Sequence, residues 1–413
     1  MPKSTLITHA KFVDADRNLI VDKHDIEIDG GRITRIGEVP RRLDRSEIDA
    51  SGCYVCPGLI DAHVHLFLDA GAQPRSTFLS ATEEELLDTA AANLRLALSA
   101  GITTVRDCGG PAELVFRVQK AVERGDIFGP RVLPAGAPIT RPKGHCHFFG
   151  IEVATPGEAV RAVDKQARDG ATFVKLIASG GGLTPRTRPE EADLPAEIMR
   201  ATVRAAHANG LQVATHCHAV ESIVRALEAG VDTIEHASFT GPGGMPQFDK
   251  EIAAQIRDKG IVVSPTAISG IRIAQAIRAS DNGNGMSANS VARLEARRHH
   301  LAKFCEAGVS MIAGTDCGVT NTPFNSLPDE LDEYVRAGLS RAEALAAATS
   351  ASGRYLGLPH LGQVKIGSTA DLLFLSGNPL DDLRHLRNPM LVMKQGEILL
   401  DRRTAPDGVL AGR

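Results

Sequence analysis

The chain has 413 residues, enough for one large domain, or a large and a small one, around a sizeable core. Its 46 basic and 50 acidic residues leave a formal charge of -4, and with no Trp and three Tyr it lacks the basic, aromatic surface that binds nucleic acid. The seven scattered cysteines predict reduced thiols, the N-terminus has no leader-peptide pattern, and no apolar run approaches the ~20 residues that span a bilayer. A cytoplasmic protein with no nucleic-acid or membrane partner is therefore expected.

From the N-terminus, "MPKSTLITHAKFVDADRNLIVD" alternates apolar and polar residues as a strand does, and "DIEIDGGRITRIG" places Gly-Gly at a hairpin turn. The run "PGLIDAHVHL" (57–66) ends in two histidines on alternate positions, so His63 and His65 face the same side of a strand. Taken alone, that pair reads equally well as core histidines or as ligands. Seven further β-branched runs follow: 102–108, 130–136, 172–179, 211–218, 231–238, 260–267 and 309–316. Ala- and Leu-rich stretches of helical period separate them, many closing on Gly. Strands alternating with helices imply a parallel sheet, and eight such units over roughly 300 residues imply an α/β fold of the closed (β/α)8 TIM-barrel type. The tail returns to strand-like runs in "ADLLFLSGN" and "PMLVMKQGEILL". The predicted organisation is one small β-sandwich domain built from residues 1–57 and 358–413, with the barrel, 58–357, inserted between them.

Chemistry in such a barrel sits at the C-terminal ends of the strands. There the sequence carries His63 and His65 on strand one, Lys175 on strand four, His216 (with His218) on strand five, His236 on strand six and Asp316 on strand eight. Each interrupts an otherwise apolar run, and their convergence on one barrel mouth is not what packing alone produces. Imidazole and carboxylate are the ligands of a Zn(II)-type centre. A protonated lysine has no lone pair to offer a cation, so the sensible form of Lys175 there is a carbamate, whose two oxygens can bridge two metals.

With "GITTVRDCGG", "FVKLIASGGG", "HANGLQVATHCHA", "AGVDTIEHASF", "AGTDCG" and "GSTADLLFLSGNPLDDL" added to "PGLIDAHVHL", the chain resembles the amidohydrolase superfamily over essentially its whole length. The match is to the imidazolonepropionase-related, Xaa-Pro dipeptidase-like (prolidase-type) branch, a family of metallo-dependent hydrolases. The resemblance implies a binuclear centre of two divalent ions, zinc by expectation. His63, His65, N6-carboxylated Lys175 and Asp316 would hold one ion, and Lys175, His216 and His236 the other, with a hydroxide between them. His218 shares the strand parity of His216 and competes for its role; the resemblance favours His216 and leaves His218 beside the substrate. In "GHCHFFG" (144–150), His145 matches a histidine that hydrogen-bonds the scissile carbonyl, while His147 matches nothing.

These parts predict hydrolysis of an amide-type C–N bond in a small molecule, most directly a dipeptide or N-acyl amino acid, with Asp316 as acid and base. Hydrolysis of a non-peptide amide, carbamate, urea or lactam stays open. A deaminase of this fold would carry H-x-x-E from His216, where the chain has Ala219, and a non-catalytic scaffold would have lost ligands. The branch's tyrosine after strand four is missing from "TPRTRPEEADLPAEI", so Arg186 and Arg188 become the candidates for gripping a substrate carboxylate, against a reading as solvated charges. "SGGGLTPRTRP" reads as a mobile active-site loop and "RRHH" (297–300) as the solvated face of a helix, with Cys317 in packing. A homo-oligomer is expected.

Overall fold

The structure, a computed structural model, describes residues 4–280, 288–403 and 409–410. The remaining residues of the two expected terminal segments lie outside that set. Both ends of the chain build one nine-stranded sheet, in the order Val409–Leu410, Glu397–Asp401, Leu391–Lys394, Leu372–Leu375, Tyr54–Pro57, Ser4–Asp14, Leu19–Asp29, Arg32–Gly37, with Ser46–Asp49 set against Ser4–Asp14. The Gly-Gly turn is where it was expected: Gly30 and Gly31 have φ of 55° and 76°, the two left-handed residues that a two-residue hairpin of matching twist requires. The sheet curls until Arg32 bridges Thr369. Ile7, Ile26 and Ile28 from the N-terminal half thereby share one buried cluster with Phe374, Leu391 and Met393 from the C-terminal half. That is the small sandwich.

Between the two halves lies the barrel. Leu59–Val64, Ile102–Asp107 and Arg131–Pro134 pair in parallel, as do Phe173–Ile177, Gln212–Ala219, Thr233–Thr240 and Val262–Ser264. The Thr172 amide donates to the Pro134 carbonyl at 2.8 Å and links the two groups. Strand Phe173–Ile177 is buried along its whole length, as a parallel strand covered by helices must be. Two of the outer helices begin at capping boxes, Thr82 with Glu85 and Thr155 with Glu158, and three close on left-handed Gly125, Gly170 and Gly230.

The eighth expected strand, 309–316, is not a regular strand. Met311 bridges Val263, Cys317 bridges Val64, and the Asp316 amide donates to the His63 carbonyl at 2.8 Å. These contacts close the barrel, but Asp316 has φ 61°, a left-handed conformation that breaks an extended ladder and that aspartate tolerates better than most residues. Gly314 makes the closure tight enough to work. A Cβ there would overlap the Ser264 hydroxyl and come within 2.8 Å of the His63 Cβ. Among the described residues no helix is long and apolar enough to cross a membrane.

Gly314→Ala is expected to lower the thermal unfolding midpoint, because forcing a methyl into a packed seam costs about 1–3 kcal/mol. Calorimetry of the variant beside the wild type checks this, and an unchanged midpoint would contradict so close an approach of the closing segment to strand one.

Candidate metal centre

A cavity of about 350 Å³ opens at the C-terminal ends of the barrel strands, and His63, His65, His145, Lys175, His216, His218, His236 and Asp316 all line it. All eight are buried. Their donor atoms fall into two groups, His63 with His65 and Asp316, and His216 with His218 and His236, each with its ligand atoms within 4.8 Å of one another. The Asp316 Oδ1 lies 3.5 Å from His63 Nε2 and 3.4 Å from His65 Nε2. Lys175 Nζ stands 3.4 Å from His63 Nε2.

The outward-facing nitrogens decide what the inward ones can do. His63 Nδ1 is 2.6 Å from Glu235 Oε2, and His65 Nδ1 is 3.0 Å from the Gly109 carbonyl. A carboxylate and a carbonyl only accept, so both Nδ1 atoms carry the proton and both Nε2 atoms present lone pairs to the cavity. His216 is turned the other way: its Nε2 lies 3.3 Å from the Gly180 carbonyl, which leaves Nδ1 as its lone-pair atom. His236 and His218 rest their Nδ1 atoms on the hydroxyls of Thr266, at 2.7 Å, and Ser238, at 2.8 Å. Burial, with the Lys175 charge behind it, lowers His63 to about 4, and burial holds His216 and His236 well below the usual histidine range. Neutral imidazoles with their outer nitrogens tied down are the form that binds a metal. On this chemistry the donor set fits divalent ions.

His145 comes from the loop after Ile139–Thr140, with its ring 4.8 Å from that of His216. Its buried Nδ1 has no hydrogen-bond partner among the described residues, and burial lowers it to about 3. Gly181 makes room for it, since a Cβ there would approach within 2.6 Å of the imidazole. His147 is turned away, 3.6 Å from Glu152. Cys317 packs on Thr315 and the Pro323 carbonyl, outside the cavity.

Arg186 and Arg188 are not where a substrate grip would need them. Both are exposed, and neither lines the cavity. The loop turns Leu183, Pro185 and Pro189 inward instead, and Arg188 pairs with Glu191 at 2.7 Å on the surface. The cavity's arginines are Arg75 and Arg297. Arg297 belongs to "RRHH", which is a solvated face only in part: Arg298 and His299 are exposed, but Arg297 and His300 are buried, and Arg297 donates to the Thr266 carbonyl at 3.1 Å and the Ser269 hydroxyl at 3.0 Å. It crosses helix Ala267–Ser280 over Gly270, where a Cβ would collide with its side chain.

Two further residues went unremarked in the sequence. Arg106 and Glu235 are both buried; Arg106 Nη2 lies 2.5 Å from Glu235 Oε1, while Glu235 holds His63 with its other oxygen. Burial pushes the Glu235 carboxyl up, but the Arg106 guanidinium and the hydrogen bond from His63 bring it well below the ordinary carboxylate range. The available signal was a charged residue set inside each of the runs "ITTVRDC" and "VDTIEHAS", Arg106 beside Asp107 and Glu235 beside His236.

The Amidohydrolase family model matches residues 54–399. The chain belongs to the amidohydrolase family. An ochratoxinase from Aspergillus niger is 30% identical over 394 residues, spanning 86% of this chain and 77% of the relative. Among solved structures, a Xaa-Pro dipeptidase with bound methionine in its active site superposes with a TM-score of 0.85 at 27% identity, covering 96% of this chain and 99% of the other. A prolidase complexed with N-methylphosphonate-L-proline gives 0.83 at 27%, with the same coverage. The fold is thus that of the metal-dependent barrel hydrolases, and this amidohydrolase is an enzyme acting on C–N bonds.

If Glu235 orients His63 for a metal, Glu235→Gln, which keeps the hydrogen-bonding shape and removes the charge, should weaken metal retention about 10–100-fold. Competition against a chelator measures it. Unchanged retention would reduce Glu235 to a partner of Arg106 alone.

Proposed function

We propose that this amidohydrolase hydrolyses the amide C–N bond of a small dipeptide or N-acyl amino acid, using two divalent ions, zinc by expectation. His63, His65 and Asp316 would hold one and His216 and His236 the other, with carboxylated Lys175 shared between them. The observation that carries this reading is the position of Asp316, whose Oδ1 is within 3.5 Å of two imidazole lone-pair atoms at the floor of a buried cavity. When bound, the ions supply the Lewis acidity that makes water acidic at neutral pH and polarises a carbonyl.

The chain's own residues do the rest. Asp316 accepts the proton of the attacking water and passes it to the departing nitrogen, so the products are a carboxylate and an amine. His145, neutral at pH 7 and with an imidazole nitrogen that has no partner among the described residues, donates an N–H to the carbonyl oxygen as negative charge develops there. Lys175 is 1% exposed, and no described carboxylate lies within ion-pair distance of it. A bare ammonium there would be costly, whereas addition of its amine to carbon dioxide, with loss of a proton, gives an anionic carbamate with two ligand oxygens. His218, its Nδ1 on Ser238, belongs to the second donor group by position and would be left to face the substrate. The substrate class is supported by similarity to a Xaa-Pro dipeptidase with methionine bound in its active site and to a prolidase complexed with N-methylphosphonate-L-proline.

Lys175→Ala should lose most activity and about one metal equivalent, with partial rescue by short carboxylic acids; two retained metals and full turnover would remove the carbamate. Asp316→Asn should lower kcat by several orders of magnitude. His145→Ala should lower kcat by about 10²–10³, as for a lost oxyanion donor. A His145 variant that raised KM and left kcat unchanged would move that residue to ground-state binding.

A further inference from the structure

With Arg186 and Arg188 out in solvent, two arginines among the described residues line the cavity and could meet the substrate's carboxylate, Arg75 and Arg297. Their engagement with the protein separates them. Arg297 already donates to the Thr266 carbonyl and the Ser269 hydroxyl, and Ser269 Oγ lies 3.4 Å from Asp316 Oδ2, so its charge is spent next to the acid–base residue. The Nε of Arg75 is buried with no hydrogen-bond partner among the described residues. A buried donor left without an acceptor is costly, and an arriving carboxylate would offset that cost.

The surroundings hold Arg75 in one pose. Its helix, Pro74–Ser80, presents Arg75 and Phe78 three residues apart on one face. The guanidinium lies over the Phe148 ring, 5.3 Å from its centroid, and Phe78 meets Phe148 edge-on at 5.5 Å. Phe148 packs on Phe149 at 4.4 Å, and Phe149 lies 6.1 Å from the His65 ring. Two aromatic rings therefore separate the guanidinium from His65. A stacked, planar fork loses little freedom when it binds and fits a carboxylate through two parallel hydrogen bonds.

We propose that Arg75 is the residue that selects substrates with a free C-terminal carboxylate, gripping it in the cavity while the amide lies over the metal-binding floor. The proposal rests on the dipeptidase-like reading of the site and assigns its specificity. Leu183, Ile273, Leu294 and Val319, on the cavity wall, suit an apolar remainder of the substrate.

The test uses zinc-loaded enzyme with N-acetyl-L-methionine and N-acetyl-L-methioninamide, which share the scissile bond and differ only in the carboxylate. Calorimetric titration with L-methionine and L-methioninamide serves as the binding readout. The wild type should prefer the carboxylate of each pair. In Arg75→Met the ratio of kcat/KM for the acid to that for the amide should fall about 10–150-fold, mostly through KM, the range for a hydrogen bond to a charged group. Arg75→Lys should recover part of the ratio, as a point charge without the fork. If the wild type prefers the acid and both variants keep that preference, Arg75 is overturned while the peptidase-like reading stands. If the wild type turns over or binds only the amides, or neither member of the pairs, the carboxylate reading falls and Arg75 with it.

Discussion

A buried guanidinium at the centre of the barrel sets the terms for everything above it. Arg106 is 2% exposed, stacks on Phe173 at 4.9 Å and donates to the Ala62 carbonyl at 2.6 Å. Such a charge is tolerable only when paired, and breaking a buried pair costs about 3–5 kcal/mol. Glu235 pairs with it, and the second oxygen of Glu235 then fixes the tautomer and orientation of His63. One chain of charge-assisted hydrogen bonds thus runs from the barrel core to the lone pair that faces Asp316. It makes the stability of the core and the geometry of the site a single problem.

The second constraint is backbone conformation. His236, Thr266 and Asp316 have φ of 66°, 50° and 61°, left-handed values that cost energy in residues with a Cβ and that tend to persist at functional sites. Their effect here is geometric. Regular alternation would send Glu235 and His236 to opposite faces of their strand. In the structure Glu235 binds His63, and the His236 ring lies 5.1 Å from the ring of the same residue. The departure at Asp316 similarly turns the closing segment out of the ladder and brings the carboxylate toward two imidazoles at once.

This explains which parts of the site were legible. His63, His65, Lys175, His216, His236 and Asp316 stood out because each breaks an apolar run at a strand end, and strand period with barrel topology brings such positions together. The hairpin at Gly30 and Gly31 was equally plain, since few sequences other than Gly-Gly satisfy that turn. Glu235 was hidden by the same strand logic, which reads a charge beside His236 as facing away, and Arg106 by lying on a strand that carries no candidate ligand. Arg297 was hidden by its helix, whose polar side faces a polar cavity as readily as solvent. The direction of Arg186 and Arg188 depends on how a loop containing Pro185 and Pro189 turns, and local pattern carries no record of that. Arg75 lies in a short helix whose meaning comes from Phe148, 73 positions away in the chain.

The central claim is that the two donor groups around Asp316 and His236 hold two ions joined through Lys175. Anomalous scattering from crystals of the zinc-loaded protein tests it most directly. The account predicts two peaks, one beside His63, His65 and Asp316 and one beside His216 and His236, with carbamate density on Lys175 Nζ. A single peak beside an unmodified lysine would contradict it.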